Sequence, residues 1–230
     1  MSILRTIAVE KVYSTRGIET RALSGIDLTI EAGEFAALAG PSGSGKTTLL
    51  NLLGALDVPT AGQILLDEED LADLKPAELS NRRLHKLGFV FQAYNLIPVL
   101  SAAENVEFVL ELQGIGVSER RKRATELLER VGLADMAEKR PLEMSGGQQQ
   151  RIAVARAIAS RPRVVLADEP TANLDSTTAK SLLDLMHGLN QDEGITFLFS
   201  SHDPLVLDKA ERRILLRDGR IDGEEKGARS

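Results

Sequence analysis

The sequence predicts an α/β protein built on a mixed sheet, with antiparallel strands at its front and a helical subdomain inserted into its core. Three observations carry that prediction. A short apolar strand pattern, Glu34 to Ala39, runs into a glycine-rich turn and then into helical periodicity from Lys46 to Leu53. Strand patterns recur at Gln63 to Leu66, Phe89 to Phe91, Val164 to Ala167, Thr196 to Ser200 and Arg213 to Leu216, with helical patterns between several of them. From Gln92 to about Arg161 the strand signals vanish and helical periodicity takes over.

The elements follow in order. Between Ile3 and Ile30 the pattern alternates, with Ile26, Leu28 and Ile30 on one face and a turn-prone stretch from Ser14 to Thr20, so antiparallel strands are expected there. Within the strand-free interval, helices are expected at Ala102 to Leu112, Ser118 to Val131 and Gln148 to Ala159, which places the helical subdomain at about 93–161. A single domain is expected over 1–223. Glu224 to Ser230 is polar and uncapped and reads as a frayed tail over 224–230.

Composition narrows the class. The chain has 230 residues, 43% of them hydrophobic, enough for an ordinary core. No apolar run approaches the ~18 to 20 residues of a membrane span, and the start lacks the layout of a secretory signal, so a cytoplasmic protein is expected. Cysteine is absent, which excludes disulfides and thiolate metal sites. A net charge of −6 argues against a nucleic-acid partner, whose binding normally needs a basic face. The one basic run, Arg120 to Arg123, reads as a solvated helix face.

The glycine turn is the most specific feature. Gly40-Pro41-Ser42-Gly43-Ser44-Gly45-Lys46-Thr47 fits G-x-x-x-x-G-K-[ST] between a strand and a helix, the P-loop of nucleotide hydrolases. Its glycines let successive N–H groups face one anion, and the helix starting near Gly45 turns its positive end to the same point. Lys46 is expected on the β- and γ-phosphates of ATP, Thr47 on Mg²⁺, and Thr48 near the α-phosphate. The strand Val164 to Ala167 ends in Asp168-Glu169, two carboxylates at the carboxyl edge of the sheet. Asp168 is the expected second magnesium partner and Glu169 the expected base for the attacking water.

A second anion site is read at Ser145-Gly146-Gly147-Gln148, where a capping serine and two glycines open a long helical pattern. Here the chain resembles the ATP-binding cassette family, whose signature is a Ser-Gly-Gly-Gln helix start, normally preceded by leucine where this chain has Met144. The resemblance covers nearly the whole chain, with Tyr13, the P-loop, Gln92, Ser145 to Gln148, Asp168-Glu169, Asp175 and His202 in family order. It implies that Tyr13 stacks on adenine, a strand-packing tyrosine being the other reading. It likewise implies that Gln92 touches Mg²⁺ and water, that His202 contacts the γ-phosphate, and that Asp175 orients an opposing subunit, unless it is simply a helix cap.

In that family the signature helix of one subunit covers nucleotide held by the P-loop of the other. One P-loop and one signature per chain therefore imply a head-to-tail dimer with a second copy. The resemblance further implies an integral membrane permease as partner, docked around Ala93 to Asn105 near Leu96, Ile97, Val99 and Leu100, which would hold the protein on the inner face of the cell membrane; core packing is the other reading of those four apolar residues. The segment Ala93 to Pro98 and the run Leu216 to Arg220 look like the lipoprotein-releasing and macrolide-exporter branch. A cell-division cassette regulating a permease-like partner is the neighbouring alternative. A soluble cassette without a permease fits less well, because the interval from Lys46 to Ser145 lacks sustained heptads. A scaffold that binds ATP without turnover is opposed by Glu169 and His202.

Overall fold

The computed structural model describes residues 1–15 and 17–227. At the front, β1 (Ser2–Thr15) and β2 (Ile18–Glu31) form an antiparallel pair, joined on the far side of β1 by β4 (Ala61–Leu66) and β5 (Glu69–Asp70). Ile26, Leu28 and Ile30 are all buried, as the alternation requires. The turn is tighter than its composition suggests, since Ile18 to Thr20 already pair with β1.

The second sheet is the core of the molecule. Its six strands run in the order β10 (Arg220–Lys226), β9 (Arg212–Arg217), β3 (Phe35–Ala39), β8 (Thr196–Ser201), β7 (Val164–Asp168) and β6 (Leu87–Phe91). All neighbours are parallel except β9 and β10. All five residues of β3 are buried, which is why it reads as a continuous apolar run and not as an alternation.

Helices cover both faces. α1 (Lys46–Leu53) follows β3 and packs Leu49, Leu50, Leu52 and Leu53 between the two sheets. α2 (Pro76–Lys86) leads into β6 and buries no residue completely. α3 (Ala102–Leu112), α4 (Val117–Arg130) and α5 (Gly146–Ala159) gather around a separate apolar cluster that includes Val106, Leu110, Leu128 and Ile152. α5 faces both ways, because its Val154, Ala157 and Ile158 pack on the sheet with α6 (Ser176–Glu193). A short α7 (Pro204–Lys209) joins β8 to β9. Among the described residues no helix is long and apolar enough to cross a membrane.

Two expectations change. The tail does not begin at Glu224, because Glu224, Glu225 and Lys226 pair with Ile214, Arg213 and Arg212 in β10; residues 228–230 lie outside the described chain. The basic run is not simply solvated either. Arg120 bonds Glu107 at 3.1 Å, and Arg123 caps the end of α5 through the Ala159 carbonyl at 2.7 Å.

Register now places the site. Phe91 lies opposite Asp168, Asp168 opposite Ser200, and Ala39 opposite Ser201, so β6, β7, β8 and β3 all end at one edge. With neighbouring strands about 4.8 Å apart, the loops that leave this edge must converge.

Candidate functional site

Four loops leave the carboxyl edge of the sheet and line one open cleft of about 450 Å³, among them the turn after β3 and the residues Gln92, Glu169 and His202. The turn after β3 has the shape its glycines permit. Gly45 sits at φ 103, and a Cβ there would lie 2.8 Å from the Ala22 carbonyl. At Gly40 a Cβ would run into the Leu216 carbonyl, so the turn is wedged against β9 and its amides are held in place. Lys46 stretches back across the turn, its Nζ donating to the Gly40 carbonyl at 2.8 Å and the Pro41 carbonyl at 3.0 Å. Ser42 and Gly43 line the cleft, as do Thr47 and Thr48. Ser44 is buried, and its hydroxyl has no partner among the described residues.

Thr47 and Asp168 meet across the cleft floor, with the threonine hydroxyl donating to Oδ1 at 3.1 Å. Two hard oxygen donors at the start of the P-loop helix suit Mg²⁺, which takes one or two protein ligands and fills its shell with phosphate oxygens and water. Among the described residues no group of three acidic, histidine or cysteine side chains is placed to hold a metal ion, so such an ion would depend on the phosphates for its remaining ligands.

Glu169 adopts φ 44, a left-handed backbone that aims its side chain across to the end of β8. There Ser201 donates to Oε2 at 2.9 Å and His202 Nδ1 lies 2.7 Å from Oε1. With the carboxyl ionised, that pairing requires the proton on Nδ1. Ser201 is itself anchored, since its oxygen accepts the Asp203 amide at 3.1 Å while Asp203 accepts the Thr171 hydroxyl at 2.8 Å. None of these three anchors is evident from the sequence; the only signal was their closeness to His202 and Glu169.

Gln92 opens onto the cleft at the end of β6, and its carbonyl accepts Asn173 Nδ2 at 3.0 Å. The next residues, Tyr94 and Asn95, turn at φ 60 and φ 51. Arg156 of α5 holds their carbonyls at 2.9 Å and 2.6 Å, which fastens this loop to the helix beginning at the Ser-Gly-Gly-Gln segment.

That segment is not in the cleft of its own chain. Ser145 caps α5, its hydroxyl accepting the Gln148 amide at 3.3 Å while Gln148 Oε1 accepts the Ser145 amide at 2.9 Å. A Cβ at Gly146 would stand 2.6 Å from the Tyr94 hydroxyl, and one at Gly147 would strike Thr178, so close neighbours favour glycine at both positions. Asp175 caps α6 through the Thr177 and Thr178 amides, both at 3.0 Å, and the Thr178 hydroxyl at 2.6 Å. Those bonds, led by the Thr178 hydroxyl, hold its carboxyl below the usual range.

Tyr13 stands beside the cleft without lining it, half-exposed at 39%, on the strand that faces Thr48. Burial, together with a hydrogen bond to Asp57, raises its phenol above the ordinary value. A larger hollow of about 560 Å³ lies elsewhere, at Glu34 and Arg212, but those two side chains bond each other and bring no phosphate-binding turn with them.

A parallel sheet whose edge carries a P-loop, an acidic strand end and a paired glutamate and histidine defines a P-loop nucleotide hydrolase. The comparisons with known proteins go further. The family model described as ABC transporter matches residues 23–172. A lipoprotein-releasing system ATP-binding protein, LolD 1 of Caulobacter vibrioides, is 46% identical over 96% of this chain and 94% of its own. A macrolide export ATP-binding/permease protein, MacB of Syntrophobacter fumaroxidans, is 45% identical over 97% of this chain, which spans only 32% of that longer protein. Among solved structures, the dimeric post-hydrolysis state of the ATP-binding cassette MJ0796 bound to ADP and Pi superposes with a TM-score of 0.90 at 44% identity, covering 97% of this chain and 98% of that one. The chain belongs to the ABC transporter family and is an ATPase cassette of that family.

Proposed function

We propose that this cassette hydrolyses ATP as a head-to-tail dimer of identical copies and thereby drives a membrane permease, of the export or lipoprotein-release type. The observation that carries the reading is the separation within one chain: Ser145 to Gln148 are absent from the lining of the cleft that holds the P-loop, Glu169 and His202. Each copy offers a phosphate cradle in one place and a capped helix start in another, so two copies facing each other complete two sites. The solved relative MJ0796 is a dimer, which supports the same arrangement.

In the proposed reaction the P-loop amides and Lys46 bind the β- and γ-phosphates. Lys46 exchanges its Gly40 and Pro41 carbonyl partners for phosphate oxygens. Thr47, Asp168 and Gln92 would hold Mg²⁺, which neutralises charge developing on the phosphates. Glu169, oriented by Ser201, accepts the proton of the attacking water as it adds in line to the γ-phosphorus and the bond to the β–γ bridging oxygen breaks, leaving ADP and inorganic phosphate, while His202 turns from Glu169 toward the γ-phosphate. Ser145 and Gly147 of the opposing copy close the site, and Asp175 lies at the same interface. Tyr13 supplies the surface for adenine.

Closure would work on the permease through a second concavity of about 440 Å³ between the sheet and the helical subdomain, where Phe89, Phe91 and Val109 supply apolar walls and Arg83 and Arg156 a charged end. A cytoplasmic permease helix fits this place better than the full span 93–105, because Leu96 already packs on the helical core and Asn105 is buried. Val99 of that span is 69% exposed. On this reading the protein sits at the inner face of the cell membrane, held there by its partner.

The test is mass spectrometry of what copurifies with the tagged chain from detergent-solubilised native membranes. A permease-like protein is the expected companion; ribosomal or DNA-repair proteins alone would refute the transporter reading.

A further inference from the structure

Lys11 and Asp57 form a largely buried ion pair next to Tyr13, and neither has a part in the phosphate chemistry. Lys11 Nζ donates to Asp57 Oδ1 at 2.7 Å and to the Val58 carbonyl at 2.8 Å, with its side chain only 10% exposed. Asp57 Oδ1 also accepts the Val58 amide at 2.7 Å, while Oδ2 accepts the Tyr13 hydroxyl at 2.9 Å. The same ammonium lies 4.8 Å from the centre of the Tyr13 ring. Lys11 and Tyr13 are two apart on β1, across a register shift between Lys11 and Val12, and their side chains meet.

A tyrosine 39% exposed would ordinarily sample several rotamers. Here its hydroxyl is pinned at one end and a cation occupies one face of the ring. A base can therefore stack only on the other face, with its plane set by the held ring. Asp57 stands just beyond the C-terminus of α1, the helix that begins in the P-loop, so the bond to Tyr13 also fixes the ring's distance from the phosphate cradle. Burial alone would raise the Asp57 carboxyl, but the bonds from Lys11, Val58 and Tyr13 outweigh it and hold the group below its usual range, so it stays ionised as an acceptor.

We infer that Lys11 and Asp57 are positioning residues for the nucleobase: they lock Tyr13 as a preorganised platform at a set distance from the P-loop, and so raise affinity for the base end of the nucleotide without touching the phosphates. This rests on the reading of Tyr13 as the adenine surface. Locking a side chain before binding removes part of the ordering cost of the complex. The arrangement also predicts that a nucleotide stripped of its base gains nothing from the clamp.

The experiment compares ATP, ADP and inorganic tripolyphosphate binding by calorimetry, each with Mg²⁺, for the unmodified protein and for Tyr13→Ala, Tyr13→Phe, Asp57→Asn and the Tyr13→Phe/Asp57→Asn pair. Tyr13→Phe removes only a hydroxyl at the surface and keeps the ring, which guards against a folding defect. Asp57→Asn and Tyr13→Phe should each weaken ATP and ADP by about three- to ten-fold. The pair should lose no more than either single change, tripolyphosphate should bind as before, and the loss in turnover should fall on KM and not on kcat. Equal weakening of tripolyphosphate would mean that the pair merely supports the fold, and overturns the inference. If Tyr13→Ala weakens ATP while Asp57→Asn and Tyr13→Phe do not, the clamp is wrong and the adenine surface stands. If Tyr13→Ala itself leaves ATP unaffected, the adenine surface is wrong and the clamp falls with it.

Discussion

Glu169 illustrates how much a single side chain's surroundings decide. Its side chain is 16% exposed, it sits on a left-handed backbone, and both of its oxygens are engaged from the end of β8. Such an arrangement costs energy for a residue without a functional role and suits one that must point at a fixed position. Replacing Glu169 with Gln keeps the size and the Ser201 contact but removes the base, so turnover should fall by about 10²- to 10⁴-fold while ATP affinity is retained. Phosphate release under saturating ATP, alongside calorimetric binding, measures both; a Glu169→Gln protein that still turned over at near the original rate would remove Glu169 from the reaction. At this scale the sequence was informative wherever spacing along the chain encodes the chemistry, as in the P-loop from Gly40 to Thr47. It was silent about Ser201, Thr171, Lys11 and Asp57. Their roles depend on partners tens of residues away, such as Glu169 for Ser201 and Asp57 for Lys11, and a lone serine or lysine has no periodic signature.

Elements were legible in proportion to how much apolar surface they bury. β3, β7 and β8 bury nearly every residue and read as short apolar runs; α3 and α5 carry clear helical spacing. α2 buries nothing fully and β10 has only exposed or half-exposed side chains, so neither leaves a hydrophobic pattern to read. β10 is a strand because its backbone completes the ladder of β9, which side-chain periodicity cannot report. The start of α3 is held by a different device. Asn105 is fully buried, its Nδ2 donating to the Ile97, Leu100 and Ser101 carbonyls while Oδ1 accepts the Ile97 amide at 2.8 Å. Replacing Asn105 with Ala strips the Ile97 amide and the Leu100 carbonyl of this partner, while the Ile97 and Ser101 carbonyls keep their backbone bonds from the Leu100 and Asn105 amides; the loss should cost about 2–3 kcal/mol. Urea unfolding would give the loss, and hydrogen exchange should place it in Ile97 to Val106; a variant as stable as the parent would contradict the bonding described.

At the scale of the whole molecule, the decisive fact is that one chain keeps its P-loop cleft and its Ser145 helix start apart. Ser145 caps the first turn of α5, whose last turn is fastened through Arg156 to Tyr94 and Asn95 in the loop after β6, while the P-loop follows β3 in the sheet. If each site draws its P-loop from one copy and its Ser-Gly-Gly wall from the other, two differently disabled proteins should repair each other. Lys46→Ala destroys both cradles of a homodimer, and Ser145→Arg destroys both walls, so each protein alone should be inactive. Mixed with ATP, half of the dimers formed at random are hybrids, and each hybrid holds one site with an intact cradle and an intact wall. Turnover should then return to about a quarter of the parent rate per chain, provided that single sites fire independently. If the sites fire only together, hybrids stay silent in turnover but should still bind one ATP tightly, which filter binding at equal total protein detects. A mixture that neither hydrolyses nor binds beyond the sum of its parts would show that each site is completed within a single copy, and the head-to-tail dimer would have to be abandoned.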